Sequence, residues 1–232
     1  MSALRATLVV VEALCVQFAT TPPNKSPNQG RYHTEEILIL RAAPFIFALQ
    51  QPLIWFCALL DILVLFPPDS IPLFSHIQFT PRLQSHSTRS PEVTPLFLLG
   101  FAAVLLGTVI RTTCFRALGH LFTFDLAVLE GHKLVTSGPY AYVRHPSYCG
   151  SLLLVFGLPL SQFTRGSCLV EGGLLDPRGV FIVLLWASWW IWAVAVAVRR
   201  AYAEDEEMKK QFGKEWEGYA ARVRWWFFPG LM

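Results

Sequence analysis

The sequence predicts an all-α protein, a polytopic membrane bundle of about five transmembrane helices. Hydrophobic residues make up 53% of the 232 positions, and charged residues make up only 15%. A soluble domain would carry about a quarter charged residues, and a disordered chain would be poorer in aromatics than the 14% found here. The charges also cluster in a few blocks between apolar runs, which is the pattern of a chain that crosses a bilayer repeatedly.

Five apolar segments reach or approach the roughly 20 residues that a helix needs to cross a bilayer. They cover about 4–19, 37–66, 95–110, 148–162 and 180–198. The first is short and contains Glu12. A cleaved signal peptide is an alternative, because Arg5 followed by an apolar stretch resembles one. The second contains Pro44 and Pro52, which predict a kinked or tilted helix or an interfacial lead-in.

A Pro/Ser-rich stretch over 67–95 separates the second and third segments and predicts a loop. We therefore divide the chain into residues 1–94, with two spans and this loop, and residues 95–232, with three spans. If the spans alternate, thirteen Lys and Arg residues lie on the side of the C-terminus and five on the other side. This bias predicts a cytosolic C-terminus.

The remaining composition excludes two kinds of partner. The formal net charge of +3 is weak and scattered, so we expect no nucleic-acid binding. The five cysteines form no CxxC pair and no cluster with metal-ligand spacing, so we expect no metal site. They are Cys15, Cys57, Cys114, Cys149 and Cys168.

The segment before the fourth span, residues 120–150, is dense in His, Tyr, Gly and Pro. Gly138-Pro139 and Pro146 predict two breaks in the backbone. Broken backbone near a membrane is tolerated where it lines a polar cavity, so the segment predicts a ligand site. The alternative is that Arg144 and His145 snorkel to headgroups while the nearby tyrosines Tyr140, Tyr142 and Tyr148 form an aromatic belt.

The tail after the fifth span predicts a helix with Arg200 and Glu204 stacked one turn apart on the same face. An ordinary solvated pair is the alternative. Gly213 predicts a bend or break in this helix. Apolar residues at helical spacing form a stripe like that of an interfacial helix: Met208, Phe212, Trp216, Tyr219 and Val223.

Two motifs resemble those of a known family. The run LVTSGPYAYVRHPSYCG (134–150) is followed, after one further span, by R-x3-E-D-x2-M-x3-F-G-x2-W-x2-Y-x3-V (200–223). Together they resemble the isoprenylcysteine carboxyl methyltransferase family. Its members are integral enzymes of the endoplasmic reticulum that use S-adenosylmethionine to methylate the C-terminal carboxylate of prenylated cysteine. RHPxY alone is shared with phospholipid methyltransferases and, more loosely, with membrane sterol reductases.

The resemblance covers about Pro95 to the C-terminus and implies roles for individual residues. Arg200 matches the substrate-side position and, with Glu204, the catalytic one. The second acid of the family's Glu-Glu pair is Asp205 here, and Trp216 replaces a tyrosine. The cofactor contacts fall on His132, Lys133, Leu134, Val135, Tyr140, His145 and Glu204.

The chemistry of the residues agrees with this activity. A free carboxylate, with a pKa of about 3.5, is already a nucleophile at neutral pH and needs no general base. It needs alignment and a site with little water, and Arg200 offers a fixed fork for it. Glu204 can accept hydrogen bonds from a cofactor, and aromatic side chains suit a sulfonium cation.

The resemblance therefore implies a multi-pass enzyme of the endoplasmic reticulum that carries out C-terminal protein methylation at a cytosolic cofactor pocket. That pocket would be built from the segment before the fourth span and the tail. The prenyl chain would remain in the lipid bilayer. Three alternatives stay open: a phospholipid or other amine N-methyltransferase, a sterol-type reductase, and a non-catalytic lipid-binding membrane protein. Arg200 favours a carboxylate over an ammonium substrate because it would repel a second cation.

Overall fold

A computed structural model describes residues 2–25, 43–66, 93–171 and 179–230. Within these ranges the chain forms helices and no β-strand, which confirms the all-α prediction for this part of the sequence. Two 3-10 turns, Gly119–Leu121 and Gly138–Ala141, lie between α3 and α4. The α-helices are α1 Ser2–Thr20, α2 Ala43–Leu65, α3 Pro95–Leu118, α4 Pro146–Gln162, α5 Cys168–Glu171, α6 Gly179–Phe212 and α7 Lys214–Arg222.

Three segments of the described chain are long and apolar enough to cross a membrane: Ser2–Thr20, Pro95–Leu121 and Val183–Phe212. The prediction of five spans is not confirmed by this finding. At 1.5 Å per residue, the 17 residues of α4 extend only about 25 Å, and the apolar stretch Leu49–Leu63 of α2 is also short. Residues 37–42 of the predicted second span and residues 67–92 of the predicted loop lie outside the described residues.

The helices divide between two compact units. The described residues of the first unit are 2–17, 49–66, 93–105, 154–171 and 179–190. Its apolar core includes Val9, Ala58 and Phe97, all buried. Close helix packing in this unit depends on Gly100 and Gly157. A Cβ atom on Gly100 would lie only 2.6 Å from the Gly157 carbonyl oxygen, so α3 and α4 approach as small residues allow in membrane bundles.

The described residues of the second unit are 18–25, 43–48, 106–153 and 191–230. Here too α3 and α4 meet at small residues, because a Cβ atom on Gly150 would lie 2.8 Å from the Gly107 carbonyl oxygen. Gly213 separates α6 from α7 with a φ of +50°, in the left-handed region that favours glycine. The predicted break at Gly213 is therefore confirmed, and both motifs of the sequence lie in this unit.

Candidate active site

The segment that begins α4 is held by the C-terminal segment of the chain. The backbone N–H groups of Arg144 and His145 donate to the carbonyl oxygens of Trp225 and Trp226, each at 2.9 Å. Pro146 then begins α4, at a position where a missing N–H costs nothing. These two hydrogen bonds fix the direction in which the side chains of the RHPSY motif leave the backbone.

His145 lies between the two acids that follow each other on α6. Its Nδ1 atom is 3.3 Å from Oε2 of Glu204, and its Nε2 atom is 3.0 Å from Oδ1 of Asp205. Burial alone would lower the pKa of His145, but the hydrogen bonds to Asp205 and Glu204 outweigh it and raise this pKa to about 8. The ring is therefore mainly an imidazolium at neutral pH.

Asp205 also binds the arginine of the motif. Nη1 of Arg144 lies 2.6 Å from Oδ2 of Asp205, and the guanidinium carbon lies 5.9 Å and 5.5 Å from the ring centroids of Trp216 and Trp226. Both partners of the ion pair are largely buried. The alternative in which Arg144 and His145 snorkel to headgroups is wrong, because Nη1 of Arg144 and both ring nitrogens of His145 bind acids of α6.

Tyr148 links two residues that the sequence placed one turn apart. Its hydroxyl donates a hydrogen bond to Oε1 of Glu204 and accepts one from Nε of Arg200 at 3.2 Å. Arg200 and Glu204 are thus coupled through a buried hydroxyl rather than forming an ordinary solvated pair. The aromatic-belt interpretation is therefore wrong for Tyr148. Tyr148 belongs to the candidate site, although the sequence alone did not place it there.

Arg200 is held a second time by the segment after α3. Its Nη2 atom donates to the carbonyl oxygen of Phe124, and the Phe124 ring lies 5.1 Å from the guanidinium carbon of Arg111. In the sequence alone, Arg111 is only one of the charges that bear on the orientation of the spans. The signal that could have identified it is a charged residue at the end of an apolar run, because such residues pair inside the protein.

Arg111 binds two other helices of the second unit. Its Nε atom donates to the carbonyl oxygen of Ala19 at 2.6 Å, and its Nη1 atom donates to the hydroxyls of Ser147 and Ser151. The buried guanidinium therefore connects the end of α1 to the first turns of α4. It also lies 5.4 Å from the ring centroid of Phe115.

The remaining predicted cofactor residues lie at different places in the second unit. The His132 ring centroid is 6.1 Å from that of Phe212, and its Nδ1 atom is buried without a hydrogen-bond partner. Burial lowers the pKa of His132 although Glu204 opposes the shift, so the ring is neutral at pH 7. Lys133 is exposed, whereas Leu134 and Val135 are half-buried.

Tyr140 contacts residues of α3 and α7. Its hydroxyl contacts Cys114, and burial raises the pKa of Tyr140 well above its usual value. Its carbonyl oxygen accepts a hydrogen bond from the hydroxyl of Tyr219 at 2.9 Å. Of the predicted residues, the structure joins His145 to Glu204 directly and Arg200 to Glu204 through the Tyr148 hydroxyl. It does not join Tyr140 to them in the residues described.

The apolar stripe of the tail contacts this unit of the protein. Phe212 lies against His132, Trp216 lies against Arg144, and Tyr219 reaches Tyr140. These three residues of the stripe therefore have protein partners in this unit, and an interfacial position of the helix stays a prediction.

Comparisons with known proteins agree with the motifs. Residues 98–170 match the model of the isoprenylcysteine carboxyl methyltransferase (ICMT) family. Protein-S-isoprenylcysteine O-methyltransferase B of Arabidopsis thaliana is 31% identical over 126 residues, which are 53% of this chain and 55% of the relative. The protein-S-isoprenylcysteine O-methyltransferase of Dictyostelium discoideum is 28% identical over 161 residues, 68% of this chain and 59% of the relative.

A second group of relatives carries another name. The Delta(14)-sterol reductase of Neurospora crassa is 24% identical over 191 residues, 68% of this chain but only 39% of the relative. The chain thus spans about half the length of the curated relatives it matches. The similarity to the isoprenylcysteine carboxyl methyltransferase family that the motifs predicted is confirmed, with residues 98–170 matching the family's model.

Proposed function

We propose that this protein methylates the C-terminal carboxylate of prenylated cysteine, as a protein-S-isoprenylcysteine O-methyltransferase that uses S-adenosylmethionine. The observation that supports this most directly is the coupling of Arg200 to Glu204 through the Tyr148 hydroxyl. This contact holds the guanidinium of Arg200 beside the carboxylate of Glu204, in a site formed by residues of both motifs. The matches to the family model and to the methyltransferase relatives support the same activity.

Arg200 orients the carboxylate of the substrate in this proposal. Its Nε and Nη2 atoms already bind Tyr148 and Phe124, so the plane of the guanidinium is fixed before substrate arrives. A guanidinium presents its N–H donors in a planar fork that matches the geometry of a carboxylate. Because the nucleophile is already anionic, Arg200 provides alignment and charge complementarity and takes no proton.

The residues present fit the proposed cofactor. His132 has a buried Nδ1 atom without a partner, and a neutral imidazole can donate or accept a hydrogen bond there. The Glu204 side chain is 31% exposed, and its oxygens have further lone pairs for hydroxyl or amino groups. When bound, S-adenosylmethionine supplies an electrophilic methyl group on a sulfonium. Lys133, Leu134, Val135 and Tyr140 belong to the proposed cofactor site through the family motif.

His145 and Asp205 orient the acid that would contact the cofactor. The His145 imidazolium is placed between Glu204 and Asp205, and Asp205 is balanced in turn by Arg144. This arrangement keeps Glu204 ionised as an acceptor and gives Asp205 a role that the sequence left open. We therefore assign Asp205 to positioning and Glu204 to cofactor binding.

The location of the protein belongs to the same proposal. Three helices of the described residues can cross a membrane by length and composition, and the charge bias favours a cytosolic C-terminus. We propose the endoplasmic reticulum membrane, a cytosolic cofactor pocket and a prenyl chain that remains in the bilayer. Residues 95–232 would form the catalytic region, and residues 1–94 an N-terminal membrane region.

Reduction of a sterol is a second candidate function. The observation that favours it is the similarity to a Delta(14)-sterol reductase, which extends over 68% of this chain. The identity is lower than to the Arabidopsis methyltransferase, and a carboxylate-binding arginine has no evident use in reducing a carbon–carbon double bond. An assay for both products on the same membranes separates the two candidates.

The decisive experiment uses membranes that contain the full chain. They are incubated with labelled S-adenosylmethionine and N-acetyl-S-farnesylcysteine, and base-labile methyl ester is measured. We expect label in the ester, and none when N-acetylcysteine without a prenyl chain or the preformed farnesylcysteine methyl ester is supplied. Absence of the ester would favour the reductase if the same membranes, supplied with a Δ14 sterol and a nicotinamide reductant, saturate the sterol double bond.

A further inference from the structure

Among its described residues, the first unit has three acidic or basic side chains in its interior. Arg5 is 0% exposed, Glu12 2% and Asp61 1%. Arg5 and Glu12 are seven residues apart on α1, so they lie on the same face of the helix, and Asp61 lies on α2. All three precede the residues that match the family model. Charged residues inside membrane helices are rare and usually functional.

Each of these side chains has a defined partner. Arg5 donates from Nη2 to the Thr164 hydroxyl at 3.1 Å. The Ser161 hydroxyl donates to Oε1 of Glu12 at 2.6 Å, and the backbone N–H of Cys168 donates to Oδ1 of Asp61 at 2.5 Å. The partners are on or beside α4 and α5, so the cluster joins four helices of this unit.

Three oxygen atoms in the same cluster have no hydrogen-bond donor. They are Oε2 of Glu12, Oδ2 of Asp61 and Oε1 of Gln162, all inaccessible to solvent. The Gln162 side chain lies within reach of Asp61. All three atoms are acceptors, and unsatisfied buried acceptors are uncommon in native proteins. A proton bound to one of the two carboxyl groups would supply a donor to these acceptors.

The charges of the cluster lead to the same conclusion. With both carboxyl groups ionised, two negative charges would face the guanidinium of Arg5 in the part of the chain described. The other titratable groups beside Asp61 are the thiols of Cys57 and Cys168, which cannot add positive charge. A buried charge without a counter-charge is costly. One added proton would balance Arg5 and would also provide an O–H donor.

We propose that Glu12 and Asp61 together bind one exchangeable proton, so that one carboxyl group of the pair is neutral while the other pairs with Arg5. The first unit therefore contains a proton site that is separate from the proposed methyl-transfer site. It does not depend on the proposed function, and it can be tested without any substrate or cofactor.

Infrared spectroscopy of the purified full chain in lipid nanodiscs tests this proposal. A protonated carboxyl group has a C=O stretch above the amide bands, and that stretch shifts to lower frequency in D2O. We expect such a band from the parent chain at neutral pH. Glu12→Gln and Asp61→Asn should each remove the band, because the one carboxyl group that remains must ionise to balance Arg5. Glu130→Gln, at an exposed acid, should retain the band.

Thermal unfolding gives an independent measurement. The unfolding temperature of each single variant should lie within a few degrees of that of the parent chain. The unfolding temperature of the Glu12→Gln/Asp61→Asn double variant should fall by much more than the sum of the two single decreases. Absence of the band in the parent chain, its persistence in both single variants, or additive losses of stability would overturn the proposal. A band that appears only when Na+ is replaced by choline would also overturn it, because Na+ would then be the bound cation.

Discussion

The hydroxyl of Tyr148 on α4 donates a hydrogen bond to the carboxylate of Glu204 on α6. The same hydroxyl accepts a hydrogen bond from Arg200, one turn earlier on α6. One tyrosine therefore connects the residue proposed to hold the substrate with the residue proposed to hold the cofactor.

Replacing Tyr148 with phenylalanine removes the shared hydroxyl and keeps the ring against His145 and Phe227. A hydrogen bond to a charged group contributes about 1.5–3 kcal/mol, which corresponds to a loss of about 10- to 100-fold in kcat/KM. Steady-state methylation of farnesylcysteine measures this. Tyr142→Phe is the matched control, because Tyr142 is 73% exposed, and an equal loss in that variant would contradict the role of the hydroxyl.

Replacing Glu204 with glutamine removes the negative charge and nearly preserves the volume. We expect the affinity for S-adenosylhomocysteine to fall at least tenfold, because an amide cannot accept hydrogen bonds at both terminal atoms as a carboxylate does. Isothermal titration with the purified chain measures the affinity. Glu206→Gln is the control at the exposed acid two positions on. Unchanged binding by the Glu204 variant would mean that another acid contacts the cofactor.

Arg200→Ala should retain cofactor affinity within a few-fold and lower turnover of the prenylcysteine strongly. Turnover should fall because Arg200 is proposed to bind the substrate carboxylate. Cofactor affinity should be retained because the contacts of Arg200 are with Tyr148 and Phe124 rather than with the proposed cofactor residues. Arg200→Lys should recover little of the activity, since a point charge cannot replace the planar fork. Separate measurements of cofactor affinity and kcat/KM test this. Arg199→Ala, at the exposed neighbour, should behave as the parent chain.

Asp205→Asn should destabilise the site without direct contact to substrate. Arg144 would keep its charge but lose its counter-ion in a largely buried position, and breaking a buried pair costs about 3–5 kcal/mol. We expect a lower unfolding temperature and partial recovery in Asp205→Glu. A normal unfolding temperature in Asp205→Asn would exclude the positioning role assigned to this residue.

The stability of the site should fall in mild alkali. The folded pKa of His145, about 8, lies above the ordinary value of 6.5. The stability that the His145 imidazolium contributes is therefore fully present below pH 6.5 and is lost as the pH rises through 8. A shift of this size corresponds to about 2 kcal/mol.

Unfolding temperature measured across this pH range gives the midpoint of the loss. The His145→Gln variant should be less stable at neutral pH and should lose the transition near pH 8. A transition that persists unchanged in this variant would assign the titration to another group.

Much of the fold and site could be read directly from the order of residues. Apolar runs identified α1, α3 and α6, because membrane helices need a minimum apolar length, and Gly213 marked the end of α6. The spacing of Arg200 and Glu204 placed them on one helical face. These features are local in sequence, and helical geometry converts local spacing into position.

The tertiary structure decided which partners these residues have. It placed the Tyr148 hydroxyl between Arg200 and Glu204. It also paired Asp205 with Arg144 and His145. It also buried Arg5, Glu12 and Asp61 in one unit. These contacts join residues that are far apart along the chain, and their geometry depends on how helices pack. Periodicity within one helix contains no information about a neighbouring helix. The sequence by itself therefore determined the helices, and the tertiary structure determined which residues meet in the site.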